Sequence, residues 1–186
     1  MEKAKNKKLA QKLLSGNIVI LDSETTGLDD RAEACEIAAI NKHGNTLFSH
    51  LIKPTCSIPH EVTQIHGITP NMVEDAPCFG LVATKLEKII NFGGKLGIYN
   101  FSYDTRILKQ SASAANVDFV VPDTGFCVMQ MYAEFKGEWN DYYGNYKWAK
   151  LTEAAMETGY KGGGQAHRAL EDCLMTLHVL KYIAAY

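Results

Sequence analysis

Short apolar segments separated by polar turns dominate the first part of the chain. Residues 18–21, Ile-Val-Ile-Leu, form a continuous apolar run that ends abruptly in acidic residues and a glycine. A run this short and β-branched predicts a strand buried on both faces. Residues 35–41 and 47–52 predict two more strands, joined by a turn at residues 43–45. Three short strands in succession indicate an antiparallel meander at the start of the domain.

Helical spacing of apolar residues dominates the rest of the chain. It predicts longer helices over residues 3–14, 79–92, 101–115, 126–135, 149–158 and 167–184, and short helical segments within residues 59–74. The helix over residues 79–92 should bury a stripe made of Leu81, Leu86, Ile89 and Ile90. Residues 96–99 predict a further strand, and residues 117–123 predict a final strand or extended segment. This order of elements predicts an α/β fold, a mixed sheet with helices packed on its faces.

Composition limits the number of domains and the class of protein. With 186 residues, of which 46% are hydrophobic, we expect one domain over residues 17–186 and a helical extension over residues 1–16. No apolar stretch approaches the roughly 20 residues of a membrane span, so we expect a cytoplasmic protein with no membrane partner. Five scattered cysteines argue against a disulfide framework and against a zinc site. The net charge of −2 excludes a protein-wide basic surface but not a local groove for a few nucleotides.

Two acidic residues at the end of the first predicted strand suggest a metal site. Side chains alternate along a strand, so Asp22 and Glu24 should project from the same side, a few ångströms apart. Carboxylates held this close repel each other unless a cation lies between them. The all-oxygen ligand set favours Mg²⁺ or Mn²⁺ over zinc. The alternative is a solvated corner between strand and loop in which neither acid has a function.

Three more candidate residues follow later in the chain. Asp104 lies in the first turn of a predicted helix that Asn100 should cap, and this helix follows a strand end. His167 and Asp172 are five residues apart, so on a regular helix their side chains would point in different directions. They can converge only if His167 lies at an irregular entrance to the last helix, and the glycines at residues 162–164 allow one.

In this order, the segments resemble the DnaQ-like, DEDDh-type 3′–5′ exonucleases. The resemblance covers residues 17–182. Four segments carry it: residues 22–27 (Asp-Ser-Glu-Thr-Thr-Gly), 65–69 (Ile-His-Gly-Ile-Thr), 100–104 (Asn-Phe-Ser-Tyr-Asp) and 166–172 (Ala-His-Arg-Ala-Leu-Glu-Asp). The branch of polymerase proofreading subunits and exonuclease X is nearest, because the RNA-directed branches usually lack the second segment. Ser23 departs from the family pattern, in which Thr or Val is more common.

The resemblance implies a fold and a set of roles. The fold would be ribonuclease H-like. Asp22, Glu24, Asp104 and Asp172 would bind two divalent cations, Mg²⁺ or Mn²⁺, and His167 would act as the general base. The residues expected to bind the terminal nucleotide and its neighbours are Thr25, Thr26, Gly27, Leu28, Ile65, His66, Asn100 and Tyr103. For Leu28 and Ile65, ordinary packing remains an alternative to base contacts, and His66, Ile65 and Ile68 are expected at a surface.

The sequence leaves the substrate and one surface open. We expect hydrolysis from the 3′ end of a nucleic acid, with single-stranded DNA favoured, RNA as a rival substrate, and a DNA polymerase or another replication or repair protein as a partner. A catalytically silent binding module is a further alternative, against which the complete set of acids and His167 argues. The aromatic stretch at residues 139–148 could stack on nucleic acid, dock on a partner, or form a small core under a loop.

Overall fold

The computed structural model of the protein describes residues 2–122, 125–164 and 166–186, apart from the side chain of Phe92. Its centre is a five-stranded sheet with the order β3-β2-β1-β4-β5. The strands are β1 (Ile18–Thr25), β2 (Ala34–Asn41), β3 (Thr46–Leu51), β4 (Lys95–Ile98) and β5 (Gly125–Cys127). β1, β2 and β3 pair antiparallel, whereas β4 and β5 continue the sheet parallel to β1. The predicted meander followed by parallel strands is confirmed.

The helices cover both faces of this sheet. They are α1 (Glu2–Ser15), α2 (His60–His66), α3 (Pro70–Val73), α4 (Phe79–Phe92), α5 (Phe101–Ala114), α6 (Val128–Lys136), α7 (Leu151–Glu157) and α8 (Ala169–Ala185). One apolar core lies between the sheet and α1, α6 and α8, and the other lies between the sheet and α4 and α5. The mixed sheet with helices on its faces is therefore the predicted α/β architecture. None of the helices in the described part of the chain has the length and apolarity that crossing a membrane requires.

Alternation along β1 assigns its side chains to the two cores. Ile18 and Ile20 pack in the core of α8, and Val19 and Leu21 pack in the core of α5. All four are at most 2% exposed, as expected for a strand buried on both faces. Because the same alternation continues to the strand end, the even-numbered side chains there point toward α8 and the odd-numbered ones toward α5.

Several predicted boundaries and faces were wrong. Of the two alternatives for residues 117–123, a strand or an extended segment, the strand was wrong, because residues 117–122 form none. The last strand of the five-stranded sheet is β5, and Asp123 lies outside the described residues. The last helix begins at Ala169 rather than at His167. Leu81 is 77% exposed, because the buried face of α4 runs along Val82, Leu86 and Ile90, at a spacing of four residues.

The aromatic stretch forms a surface hairpin rather than a small buried core. β6 (Trp139–Asn140) pairs with β7 (Asn145–Tyr146), and the rings of Trp139 and Tyr146 meet edge to face at 5.1 Å. Trp139, Tyr142, Tyr143 and Trp148 are 50% to 87% exposed. A cluster of buried rings is therefore not present in this hairpin.

Candidate active site

Three carboxylates meet where β1 ends. Asp22 and Glu24 point from β1 toward α8, and Asp172 faces them from the first turn of α8. One oxygen from each of the three carboxylates lies within 4.8 Å of the other two. The convergence of segments 150 residues apart follows from the packing of α8 on β1, in which the Cys173 thiol reaches the Ile20 carbonyl oxygen at 3.6 Å.

Asp104 approaches the same strand end from the opposite face of the sheet. Ser23, which points toward α5, donates both its backbone N–H and its hydroxyl to Oδ1 of Asp104, at 3.1 and 2.7 Å. These two hydrogen bonds hold the buried Asp104 carboxylate beside β1, and they give Ser23 a role that the sequence did not reveal. The predicted side-chain cap by Asn100 was wrong, because the Asn100 amide oxygen instead accepts a hydrogen bond from the Ser102 hydroxyl.

Burial and mutual repulsion disfavour the ionised forms of the four carboxyl groups. Burial and then repulsion by Asp104 and Asp172 raise the pKa of Asp22 well above its usual value. Burial and then repulsion by Asp172 raise the pKa of Glu24 to about 8. Burial also raises the pKa of Asp104 to about 7 and that of Asp172 to about 6, where the hydrogen bonds to Asp104 and the neighbouring His167 limit the rise. Such a cluster of hard oxygen donors fits divalent cations.

His167 stands at an irregular entrance to α8, as the sequence required. Its backbone is in the left-handed region, with φ of 60°, and its N–H donates to Oδ1 of Asp172 at 3.2 Å. The histidine is exposed, and Arg168 and then the first residue of α8 follow it directly. The structure thus brings His167 next to the three converging carboxylates.

The segment after β1 is held by the helix that carries Asp104. The hydroxyls of Thr25 and Tyr103 lie 2.8 Å apart, and both reach the Gly27 carbonyl oxygen. Thr26 lies below the surface, where its hydroxyl accepts the Glu33 N–H at 3.0 Å. Leu28 is left 80% exposed, so packing does not explain this side chain.

The loop at residues 65–69 differs from expectation in what it exposes. Ile65 is 57% exposed, but His66 and Ile68 are at most 1% exposed, so the prediction that these two lie at a surface was wrong. Nδ1 of His66 accepts the Ile68 N–H at 2.9 Å, which leaves Nε2 to donate to the Thr25 carbonyl oxygen at 3.3 Å. Burial lowers the pKa of His66 and so favours this neutral form. The structure therefore joins the loop to the end of β1 through the imidazole.

Comparison with known proteins assigns this arrangement to a family. A family model described as "Exonuclease" (RNase_T) matches residues 19–180. The chain belongs to the DnaQ-like family of 3′–5′ exonucleases. It is a nuclease of the DEDDh type and hence a hydrolase, and enzymes of this type use divalent metal ions. The sequence suggested the branch of polymerase proofreading subunits and exonuclease X, and proteins of both kinds are among the relatives and solved structures that match.

The relatives of this exonuclease include both short and long proteins. "Uncharacterized exonuclease CP81" of Escherichia phage 186 is 39% identical over 180 residues, which cover 94% of this chain and 92% of that protein. "DNA polymerase III subunit epsilon" of Rickettsia conorii is 36% identical over 101 residues, which cover 51% of this chain and 44% of that protein.

Solved structures share the fold of this exonuclease. One is "Exonuclease X in complex with 5′ overhanging duplex DNA", with a TM-score of 0.60 and 26% identity, which covers 89% of this chain and 90% of that one. The nuclease domain of 3′hExo bound to rAMP has a TM-score of 0.68 at 18% identity and covers 88% of each chain. The predicted ribonuclease H-like architecture is confirmed.

The sequence did not reveal two residues, Arg106 and Glu36, that form hydrogen bonds with the segments carrying the predicted site residues. Arg106 donates from α5 to the carbonyl oxygens of Leu28 and Asp29, at 3.1 and 2.9 Å. Glu36 of β2 accepts two hydrogen bonds from Arg168. Two acids directly opposite each other on paired strands, Glu24 and Glu36, could have indicated a nearby cation, but only after the register of β1 and β2 was known.

Proposed function

We propose that this exonuclease removes nucleotides from the 3′ end of single-stranded DNA with the help of two divalent cations, Mg²⁺ or Mn²⁺. The observation that carries the proposal is the convergence of Asp22, Glu24 and Asp172 within 4.8 Å, with Asp104 fixed beside them by Ser23. Carboxylates that repel one another in the absence of metal are stabilised when cations bind between them. Bound there, divalent cations would lower the pKa of a water molecule and neutralise charge on the phosphate and the leaving 3′-oxygen.

The residues of the chain divide the remaining work. Asp22, Glu24, Asp104 and Asp172 would hold the cations. The exposed imidazole of His167 would accept the proton of the attacking water on a ring nitrogen, for which it has to be neutral. Thr25, Thr26, Gly27 and Leu28 would receive the terminal nucleotide.

Other residues expected to bind substrate divide into two groups. Ile65, exposed near the end of α2, and the ring of Tyr103 would contact a base. Asn100 would face the nucleic acid strand from the start of α5. His66 is buried, so it would act on the substrate only through the Thr25 backbone to which it is hydrogen-bonded.

DNA is favoured as the substrate by the relatives. The DNA polymerase III subunit epsilon of Rickettsia conorii is 36% identical to this chain over 101 residues, and exonuclease X bound to duplex DNA is 26% identical. These names also support a DNA polymerase as a partner of the exonuclease, which mixing with a replicative polymerase and size-exclusion chromatography would test.

A labelled-oligonucleotide assay tests the proposed reaction. Single strands of DNA and RNA of the same sequence, labelled at the 5′ end, are incubated with the protein and with Mg²⁺, Mn²⁺ or EDTA. We expect progressive shortening of the DNA with either metal, none with EDTA, and none with a blocked 3′ end. Faster shortening of the RNA would show an exoribonuclease, and binding without shortening would show a silent binding module. Asp22→Asn is the matched inactive control, because it keeps the shape of the side chain and removes its charge.

A further inference from the structure

Glu36 is a buried acid for which the proposed reaction has no use. It lies on β2 in register with Glu24 on β1, so two acidic side chains face each other across paired strands. Glu36 is 6% exposed. Like charges in this position destabilise a sheet, and a buried acid needs a partner. A chain that keeps an acid here at this cost has a use for it that packing does not provide.

Within the described part of the chain, the Glu36 carboxylate accepts hydrogen bonds from residues at the start of α8 only. Oε1 accepts Nη2 of Arg168 at 2.6 Å, and Oε2 accepts Nε of Arg168 at 3.0 Å, so the guanidinium binds the carboxylate with two parallel hydrogen bonds. Oε2 also accepts the backbone N–H of Ala169 at 2.9 Å. Ala169 is the first residue of α8, and the N-cap residue of this helix, Arg168, makes no side-chain capping hydrogen bond to it. Glu36 therefore supplies from the sheet an acceptor for an N–H that the helix itself leaves free.

His167 directly precedes these two anchored residues. Its φ of 60° is in a region that residues with a side chain seldom adopt. The N–H of His167 donates to Asp172, and the next two residues donate to Glu36. The backbone N–H groups of His167 and Ala169, and the side chain of Arg168 between them, are thus bound to two carboxylates from two elements. The imidazole is exposed and forms no hydrogen bond with any of the described residues, so its direction depends on this backbone.

We propose that Glu36, acting through Arg168 and Ala169, is a positioning residue that sets the orientation of His167 toward the attacking water. This inference rests on the proposed function, because it assumes that His167 is the general base. The bidentate contact between Glu36 and Arg168 fixes the orientation of the guanidinium as well as its position, and so restrains the residue that follows His167. A lysine in place of Arg168 could not form this contact.

A double-mutant cycle tests the proposal. Glu36→Gln keeps the shape of the side chain and an acceptor for Ala169, and it removes the charge and one of the acceptors for Arg168. In the otherwise native protein we expect kcat on a DNA oligonucleotide to fall about 10- to 100-fold, with KM unchanged. In a His167→Ala background the same change should cost almost nothing, because the group that it positions is already absent.

Two further measurements separate positioning from a role in metal binding or folding. Mn²⁺ affinity, measured by calorimetry, should fall much less than kcat in Glu36→Gln. The ring signal of His167 in the proton NMR spectrum, assigned by its loss in His167→Ala, should shift or broaden. Glu157→Gln is the control: Glu157 accepts hydrogen bonds from a lysine and a tyrosine on α6 and not from the start of α8, and its loss should leave kcat and the His167 signal unchanged.

Several results would overturn the inference. An unchanged kcat, equal losses of kcat in both backgrounds, or a loss of Mn²⁺ affinity that matches the loss of kcat would each do so. If Glu36→Gln does not fold, Arg168→Lys takes its place in the cycle, with the same expected pattern and the same contradicting outcomes. A native protein that does not shorten DNA would instead contradict the proposed function, and an unchanged rate in His167→Ala would contradict the role of this histidine as base.

Discussion

Removing one charge from the acidic cluster should stabilise the metal-free protein. The pKa of Glu24 is raised from 4.5 to about 8, so the folded state disfavours the ionised form. The linkage between protonation and folding then gives a cost of about 4 kcal/mol at pH 8 and about 1 kcal/mol at pH 5. Because Glu24 keeps some contact with water, we expect the variant Glu24→Gln to gain about 1 to 3 kcal/mol at pH 8.

The direction of the pH dependence follows from the sign of the shift. Between pH 4.5 and about 8 the folded state binds more protons at Glu24 than the unfolded state does. Stability therefore falls as the pH rises through this range. Asp104, at about 7, and Asp172, at about 6, act in the same direction. The unfavourable contribution of these three acids is thus smallest below the usual pKa values of 3.8 and 4.5 and largest above pH 8.

Thermal unfolding followed by circular dichroism in EDTA measures this effect. At pH 8, Glu24→Gln should unfold about 2 to 10 °C above the native protein, and at pH 5 the difference should nearly vanish. Asp118→Asn, at an exposed acid, is the control for a general change of charge and should have no effect. Mg²⁺ should raise the melting temperature of the native protein more than it raises that of the Glu24→Gln variant. A variant that is no more stable than the native protein at pH 8 would refute the reasoning, because burial and repulsion would then not disfavour the ionised form of Glu24.

Three other changes address the cations and the substrate. Asp22→Ala should abolish hydrolysis in the labelled-oligonucleotide assay while the far-UV circular dichroism spectrum stays native; residual turnover would remove Asp22 from the site. Ca²⁺ should support DNA binding, measured by fluorescence anisotropy, with little cleavage, since Ca²⁺ is larger and less demanding in geometry than Mg²⁺; full activity in Ca²⁺ would contradict this. Leu28→Ala should raise KM without changing the melting temperature, because Leu28 is 80% exposed; an unchanged KM would leave Leu28 without a role.

The sequence predicted those features that depend on local patterns. The alternation of side chains along β1 placed Asp22 and Glu24 together, and the glycines at residues 162–164 allowed His167 to approach Asp172. Features that depend on distant partners were missed. Ser23 looks like a neutral strand residue until α5 brings Asp104 to it, and His66 looks exposed in a polar loop until the end of β1 covers it.

Boundaries failed for a related physical reason. β5 has only three residues, and it is defined by its backbone pairing with β4. It contains no apolar run from which a strand could be predicted. The more apolar residues 117–122 form no strand. Leu81 fits a helical stripe on paper, but which face of α4 is buried depends on where the sheet lies. Contacts between elements decide both, and a single sequence does not display them.

The division of the acids between two faces of β1 has a mechanical consequence. Asp104 belongs to the layer of α4 and α5, and Asp172 belongs to the layer of α1, α6 and α8. Cations bound by both Asp104 and Asp172 would link the two helical layers to each other across the end of β1. Loading with metal should therefore slow amide hydrogen exchange in α5 and α8 together, so that the enzyme becomes most rigid when it is ready to cut.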